Sequence, residues 1–250
     1  MRPPFAFVAI VACAIGCGFS VIAADQESQD EGEDSSAGLP DEYAKNYLVA
    51  RSTVSPDKKF AVIYPTLEAE KAAHKAKDAE RIKDYIVALQ PFTIIKALDT
   101  KVPYFQRASK MGLGAEWSDD SAVGLITLDG WWGPRDVFLV EFRDGKLSRI
   151  TNIATKVCDL LLPNYRKAER SNDIFGFFFV AHTSFKLEGT SRVVIDASAD
   201  TEPNIASEDL RSSDRAWRGH VQAVWDVAQA RFVSQKVSGG IRKKTKGAFD

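Results

Sequence analysis

Two adjacent tryptophans, Trp131 and Trp132, lie between two apolar runs in the stretch DGWWGPR. An exposed indole ring is costly, so a tryptophan pair at the tip of a hairpin is expected to cover another surface. One interpretation is structural, with a ring capping the end of a sheet and Arg135 stacked on it. The other is an aromatic platform for a glycan or a peptide partner. The sequence leaves both interpretations open.

A second tryptophan–arginine pair, Trp217 and Arg218, occurs near the end of the chain. If the segments that carry the two pairs are copies of one unit arranged about a common axis, their loops lie on one rim. This arrangement predicts a candidate partner-binding surface made of Trp131, Trp132, Arg135, Trp217 and Arg218.

The other chemistry-bearing residues form no recognised catalytic or metal-binding motif. His74, His182 and His220 lack metal-ligand spacing, and the last two fall in predicted strands, where a structural role is expected. Asp119 and Asp120 have no third ligand nearby. The sequence contains no G-x-S-x-G elbow, P-loop or G-x-G-x-x-G loop. We therefore predict no catalytic, cofactor-binding or metal-binding residues, while a carboxylate pair or a Ser/His site assembled in space stays an alternative.

The segments around these residues alternate apolar and polar positions, which is typical of antiparallel β-strands. Residues 115–153 give four strands (AEW, AVGLITL, DVFLVEF and KLSRITNI) joined by polar turns. The same plan occurs in residues 46–98, with an inserted segment, 66–83, whose Ala, Glu and Lys content predicts an exposed helix. A looser third copy covers residues 174–237. Residues 155–170 predict a partial helix interrupted by Pro163.

The turns SPD (55–57) and WSDD (117–120) resemble the W-S-P-D-G hallmark of the TolB-type β-propeller repeat. The overall layout is similar to that of a group of exported bacterial proteins with such turns. The resemblance implies a mainly β fold with three four-stranded antiparallel propeller-like repeats. Three repeats are too few for a closed propeller, so they imply an open, curved assembly whose edges are covered by inserted helices. The resemblance implies no particular activity.

Residues 1–24 have the layout of a secretory signal peptide: one early positive charge, an uncharged run and small residues at the end. We expect cleavage after Ala23 or Ala24 and an exported protein, periplasmic or secreted, without a membrane span. Two alternatives are left open. The leader is lipidated at Cys17 or Cys13, each of which ends a lipoprotein-like box, or it is retained as a membrane anchor.

Residues 25–42 carry eight acidic and no basic side chains, which predicts a disordered linker. A β-rich repeat domain is predicted over 43–238 and a basic disordered tail over 239–250. Residues 43–250 have a charge balance of +6, but the bases are scattered, so nucleic-acid binding is not expected. Cys158, the one cysteine beyond the leader, cannot form an internal disulfide and lies in an apolar run, where a buried inert thiol is expected.

These observations predict an exported, non-catalytic protein that binds a protein or glycan partner in the cell envelope. The alternatives are a hydrolase with a spatially assembled active site and a purely architectural envelope module. An enzyme should have a deep pocket that gathers histidines or carboxylates with perturbed pKa values. A binding protein should instead have a rim of aromatic and arginine side chains. The identity of the partner and the oligomeric state do not follow from the sequence.

Overall fold

The computed structural model describes residues 34–77, 82–100, 112–169, 176–201 and 215–243. The predicted signal peptide, the alternatives at Cys13 and Cys17 and the linker up to residue 33 lie outside the described residues, as do residues 244–250 of the predicted tail. Strands make up 53% of the described residues and form three antiparallel sheets, so the prediction of a mainly β fold is confirmed.

The first sheet has four strands in sequential order: β1 (Tyr47–Ala50), β2 (Phe60–Pro65), β3 (Tyr85–Leu89) and β4 (Phe92–Ala97). A short helix, α1 (Asp41–Ala44), precedes β1, and a 3-10 helix (Arg51–Thr53) follows it. The inserted segment between β2 and β3 forms α2 (Leu67–Ala76), within which only Ala73 is buried. The prediction of an exposed helix over 66–83 is confirmed for Leu67–Ala76, whereas residues 78–81 lie outside the described residues and residues 82–83 are not helical.

The second sheet is the predicted meander, with strands β5 (Leu113–Trp117), β6 (Val123–Asp129), β7 (Pro134–Arg143) and β8 (Lys146–Asn152). It is followed by α3 (Ile153–Glu169). The prediction that Pro163 interrupts this helix is wrong, because α3 continues through it. Pro163 lies on the exposed side, while Val157, Leu161 and Tyr165 on the opposite side are buried. Packing of that apolar side sustains the helix through the proline.

The third sheet has five strands rather than the predicted four: β9 (Phe177–Phe179), β10 (Ser184–Glu188), β11 (Arg192–Thr201), β12 (Arg215–Asp226) and β13 (Arg231–Lys243). Strand β10 pairs with only the first half of β11, and the extra strand β9 pairs with the second half of the same edge. None of the three sheets is closed within the described residues.

Both predicted boundaries of the folded body need correction. Ser35 forms a β-bridge with Val49, and Leu39 is buried against the first sheet, so the body includes residues assigned to the linker. At the other end, β13 continues through residues 239–243, which were assigned to the tail. An edge strand exposes much of its length, so basic side chains are compatible with it.

The second sheet is buried on both faces. Phe138 and Val140 of β7 pack with apolar residues of the first sheet, whereas Val137 and Leu139 pack with α3 and the third sheet. This explains why β6 and β7 are almost uninterrupted apolar runs. The sheets therefore follow one another face against face, and the second sheet carries its loops between its two neighbours.

The turn between β1 and β2 is held by side-chain hydrogen bonds. The Ser55 hydroxyl donates to the Asp57 carboxylate (2.7 Å) and accepts from the Phe60 amide (3.0 Å), and Asp57 accepts from the Lys59 amide (3.1 Å). Burial raises the pKa of Asp57, but hydrogen bonds from Ser55, Lys59 and Ser121 outweigh burial and lower it to about 2. The Ser121 hydroxyl, from the next sheet, accepts from the Asp57 amide (3.2 Å).

The turn between β5 and β6 repeats this network. The Ser118 hydroxyl donates to Asp120 (2.7 Å) and accepts from the Val123 amide (3.0 Å), and Asp120 accepts from the Ala122 amide (3.0 Å). The hydrogen bond from Ser118 lowers the pKa of Asp120. Capping of backbone N–H groups by the Ser and Asp side chains of both turns, as the sequence predicted, is confirmed.

Candidate functional site

The tryptophan pair lies at the tip of the β6–β7 hairpin. The Gly130 amide donates to the Gly133 carbonyl (2.7 Å), which closes the loop beneath Trp131 and Trp132. A Cβ atom at Gly133 would lie 2.6 Å from the carbonyl oxygen of Phe179, so only glycine allows this loop to approach the third sheet so closely. The loop is thus fixed against β9.

The two indole rings are exposed to different extents. Trp131 is 66% exposed and Trp132 is 42% exposed. The ring of Trp132 lies 5.5 Å from that of Phe178 in β9, at an interplanar angle of 36°. The ring of Trp132 therefore contacts the neighbouring sheet, and the side chain of Trp131 is the more exposed of the two.

Below the tryptophans, one face of the third sheet is polar. Cross-strand pairing places Phe178, Asp200, Arg218 and Gly240 in one row across β9, β11, β12 and β13. Directly paired residues share a face of a sheet, so these residues lie side by side. The alternate face, which includes Trp217, is buried against α3.

The next row on the polar face contains Ser198, His220 and Ser238. The turn after β9 brings His182 to the same region. These rows and the overhanging loop enclose a cavity of about 590 Å³. Its lining combines aromatic, small, polar and charged residues: Trp131, Trp132, Phe178, Val180, Ala181, His182, Ser198, Ala199, Asp200, Arg218, Gly219, His220, Ser238, Gly239 and Arg242. It is large enough for a small organic ligand or a short oligosaccharide.

Arg218 and His220, which line this cavity, each lie close to a carboxyl group of β11. The Arg218 Nε atom lies 3.0 Å from Asp200 Oδ1, and the His220 Nε2 atom lies 3.1 Å from Asp196 Oδ1. Burial raises the pKa of Asp200, and the charges of Arg218 and His182 partly oppose that rise. Arg218 and Arg242 line the cavity together with one carboxyl side chain, that of Asp200.

A second cavity, of about 390 Å³, lies on the other side of the loop and is also lined by Trp131 and Trp132. Its lining includes Asp129, whose pKa is raised by burial. A Cβ atom at Gly112 would clash with an Asp129 carboxylate oxygen, so this carboxylate is closely packed. The tryptophan pair thus lines two cavities, of which the first also has arginine and histidine side chains and the second has the carboxyl group of Asp129.

Three of the five predicted site residues line one cavity. Trp131, Trp132 and Arg218 are brought together at the boundary between the second and third sheets. Arg135 does not line this cavity; its Nε atom lies 3.0 Å from the Asp136 carboxylate on β7. Trp217 is fully buried.

The prediction that Trp217 shares a surface with Trp131 and Trp132 is therefore wrong. Trp217 lies within β12 on the face that packs against α3, with its ring 5.2 Å from that of Tyr165 and 5.1 Å from that of Phe177. Gly219, two positions along β12, leaves space for the indole, since a Cβ there would clash with the Trp217 ring. Trp217 is a core residue and not part of the surface.

Several lining residues were not predicted. Phe178, Asp200 and Arg242 carry no local motif, and their relation to the tryptophans depends on pairing between distant strands. His182 lies in a turn rather than in the predicted strand, whereas His220 lies in β12 as predicted; both line the cavity. Alternation along β11 and β12 was the available signal, because it places Asp200, Arg218 and His220 on the face away from the core.

No family model matches the chain, and no curated protein matches its sequence. Within the described ranges, no group of three or more His, Cys, Asp or Glu side chains is arranged to hold a metal ion. No helix in the described part of the chain is long and apolar enough to cross a membrane.

Proposed function

We propose that this protein is an exported binding protein of the cell envelope and that it binds a glycan in the cavity beneath Trp131 and Trp132. The observation that carries the proposal is the exposure of two adjacent indole rings over a row of polar side chains. Indole faces stack on the apolar faces of sugar rings, and carboxylate, guanidinium, imidazole and hydroxyl groups bond the sugar hydroxyls. Asp200, Arg218 and His220 supply such groups on the floor of the cavity.

A glycan fits this cavity better than a purely apolar ligand does. Its aromatic residues lie on one side, while Ser198, Asp200, Arg218 and Ser238 form a polar floor. An apolar ligand would remove these groups from water without replacing their hydrogen bonds, which is costly. A sugar satisfies both sides because it has apolar faces and a polar edge.

A glycan array of neutral and acidic oligosaccharides tests this function. We expect the wild type to bind members of the array and the Trp131→Ala/Trp132→Ala double variant to bind at least tenfold more weakly, or about 1.4 kcal/mol less. Val233→Ala is the control, because it removes another exposed apolar side chain, 47% exposed, outside the cavity. Equal binding by the double variant and the control would contradict the proposed site. Failure to bind any glycan, with tryptophan-dependent capture of an envelope protein, would replace the glycan with a protein ligand.

A hydrolase is the second candidate, and one observation favours it. His182, His220 and Asp200, whose pKa is raised by burial, line the same cavity as the aromatic rings. Groups of this kind can serve as general acid or base. Incubation of the bound oligosaccharide with the protein, followed by measurement of new reducing ends, distinguishes the two. Release of reducing ends that is lost in Asp200→Asn would make the protein a hydrolase.

We also propose that the three sheets are blades related to the TolB-type repeat, in an open arrangement. The proposal is supported by the matching Ser/Asp hydrogen-bond networks of the first two turns and by the face-to-face packing of consecutive sheets. Export is part of the proposal and rests on the leader at residues 1–24. The intact mass of the exported protein tests it, since cleavage, acylation at Cys13 or Cys17 and retention of the leader give three different masses.

A further inference from the structure

We propose that the ligand of this cavity is an acidic oligosaccharide of the uronic-acid type, whose carboxylate lies between Arg218 and Arg242. The inference rests on the proposed glycan-binding function and specifies the class of sugar. It is carried by the relative positions of these two arginines, by the open space between them and by the charge of the cavity.

The two arginines are diagonal neighbours on one face of the third sheet. Arg218 in β12 pairs directly with Gly240 in β13, and Arg242 is two residues further along β13. Diagonal neighbours in an antiparallel pair have Cα atoms about 7–8 Å apart, which is within reach of two long side chains. Both arginines line the same cavity.

Gly240 leaves a slot between them. A Cβ atom at Gly240 would have no heavy atom within 4 Å, so the space above this residue is open. In contrast, a Cβ atom at the preceding residue, Gly239, would lie 3.0 Å from the Trp217 ring on the core side. The slot thus lies on the face of β13 that carries Ser238 and Arg242, two residues that line the cavity, although Gly240 itself is not a lining residue.

The charges around the slot favour an anion. Asp200 lies 3.0 Å from Arg218, but among the described residues no carboxylate forms an ion pair with Arg242. A carboxylate placed in the slot would accept hydrogen bonds from two guanidinium groups, which bind planar anions in a bidentate manner. A neutral sugar at the same place would offer no negative charge to Arg242.

The length of the site calls for more than one sugar ring. Phe178 and Gly240 are the ends of a row that crosses four strands, β9, β11, β12 and β13. Three strand spacings amount to about 14 Å. Trp132 lies against Phe178 at one end of the row, and the slot lies at the other. An oligosaccharide that stacks one ring on the tryptophans therefore presents the acid of another ring to the arginines.

The test compares uronic-acid oligosaccharides with their carboxyl-reduced counterparts, which keep the same linkages and stereochemistry but lack the charge. We expect the exported protein to bind the acidic member of at least one pair tenfold or more tightly in isothermal titration calorimetry. Arg242→Gln should abolish this preference. Lys236→Gln, which removes a positive charge from β13 outside the cavity, should keep it.

A second variant tests the slot without removing a charge. Gly240→Leu fills the open space at a backbone position without a positive φ angle, so the protein should keep its unfolding temperature and lose affinity for the acidic oligosaccharide at least tenfold. Unchanged affinity in Gly240→Leu, or an acid preference that persists in Arg242→Gln, would overturn the placement of the carboxylate.

The outcomes separate this inference from the proposed function. Equal binding of acidic and reduced members, lost in Trp131→Ala/Trp132→Ala, would overturn the acidic ligand and keep glycan binding. Absence of binding to every member of every pair would overturn the inference, and absence of binding across the wider array as well would overturn the proposed function.

Discussion

The rings of Trp132 and Phe178 lie 5.5 Å apart, and this contact joins the loop of the second sheet to the polar face of the third. Neither sheet alone forms the cavity. The aromatic wall comes from the β6–β7 loop, and the floor comes from β11, β12 and β13. The site therefore depends on the face-to-face packing that buries the second sheet on both sides.

The tryptophans of this region differ in what they do for stability. We expect Trp131→Ala to change the free energy of unfolding by less than about 0.5 kcal/mol, because the side chain is mainly exposed. Trp132→Ala should cost about 1 kcal/mol through loss of the Phe178 contact. Trp217→Ala should cost about 3–5 kcal/mol because it empties a buried aromatic site. Urea denaturation measures all three, and similar costs for Trp131 and Trp217 would contradict this ranking.

Adjacent glycines in β13 should respond oppositely to the same substitution. Gly239→Leu should destabilise the protein by about 1–3 kcal/mol, because its Cβ meets the rigid ring of Trp217 at 3.0 Å. Gly240→Leu should leave the free energy of unfolding within about 0.5 kcal/mol of the wild type, since its Cβ meets open space. Thermal and urea unfolding of the two variants give the comparison. Equal destabilisation would mean that the two faces of β13 are not as assigned.

Most strands were predictable because they alternate and are bounded by polar turns. Val137–Phe142 and the hairpin turn at Asp144-Gly145 show both signals, and β7 and β8 form there. Strand β9 was missed as a separate element because FFF is too short and too uniformly apolar to show a period. The extension of β13 through Lys243 was missed because glycines and basic residues are typical of a tail as well as of an edge strand.

The site was only partly predictable, because the pairing of distant strands decides which side chains share a face. The polar context of Trp131 and Trp132 indicated a loop, and both are exposed. Trp217 lies in an equally polar segment, and deciding which face of β12 it occupies requires the pairing of Trp217 with Ile241 and the position of α3. The proximity of Asp200 to Arg218 likewise follows from strand pairing over a distance that no local pattern encodes.

An ion pair within the second sheet joins the half-buried Arg149 to the buried Glu141, and the two residues should be strongly coupled. Arg149 donates to both carboxylate oxygens of Glu141, at 2.5 and 2.8 Å, and also to the carbonyl of Val227. Removal of the arginine leaves a buried carboxylate without its partner, so Arg149→Met should cost about 3 kcal/mol.

The matching double variant, Glu141→Leu/Arg149→Met, should be less destabilised than the sum of the two single variants by at least about 1 kcal/mol. Urea denaturation of the four proteins measures the coupling. Additive costs would show that the pair contributes no mutual stabilisation.

The turn residue Asp57 should make stability depend on pH between about 2 and 4. Hydrogen bonds from Ser55 and the Lys59 amide favour its carboxylate, and the pKa falls from its ordinary value of 3.8 to about 2. A carboxyl group with a lowered folded-state pKa stabilises the protein above its unfolded-state pKa, and this contribution is lost as the pH falls through the folded-state value.

Asp57→Asn should therefore reduce the free energy of unfolding at pH 7 by about 1 kcal/mol, after allowance for the partial exposure of the side chain. The difference from the wild type should shrink as the pH is lowered from about 4 toward 2. Urea denaturation across this range measures it, with Asp119→Asn as the control, because Asp119 is an exposed aspartate in the equivalent turn. A difference that is the same at neutral pH and at a pH near 2 would mean that Asp57→Asn changes stability through the shape of the turn and not through loss of the ionised carboxylate.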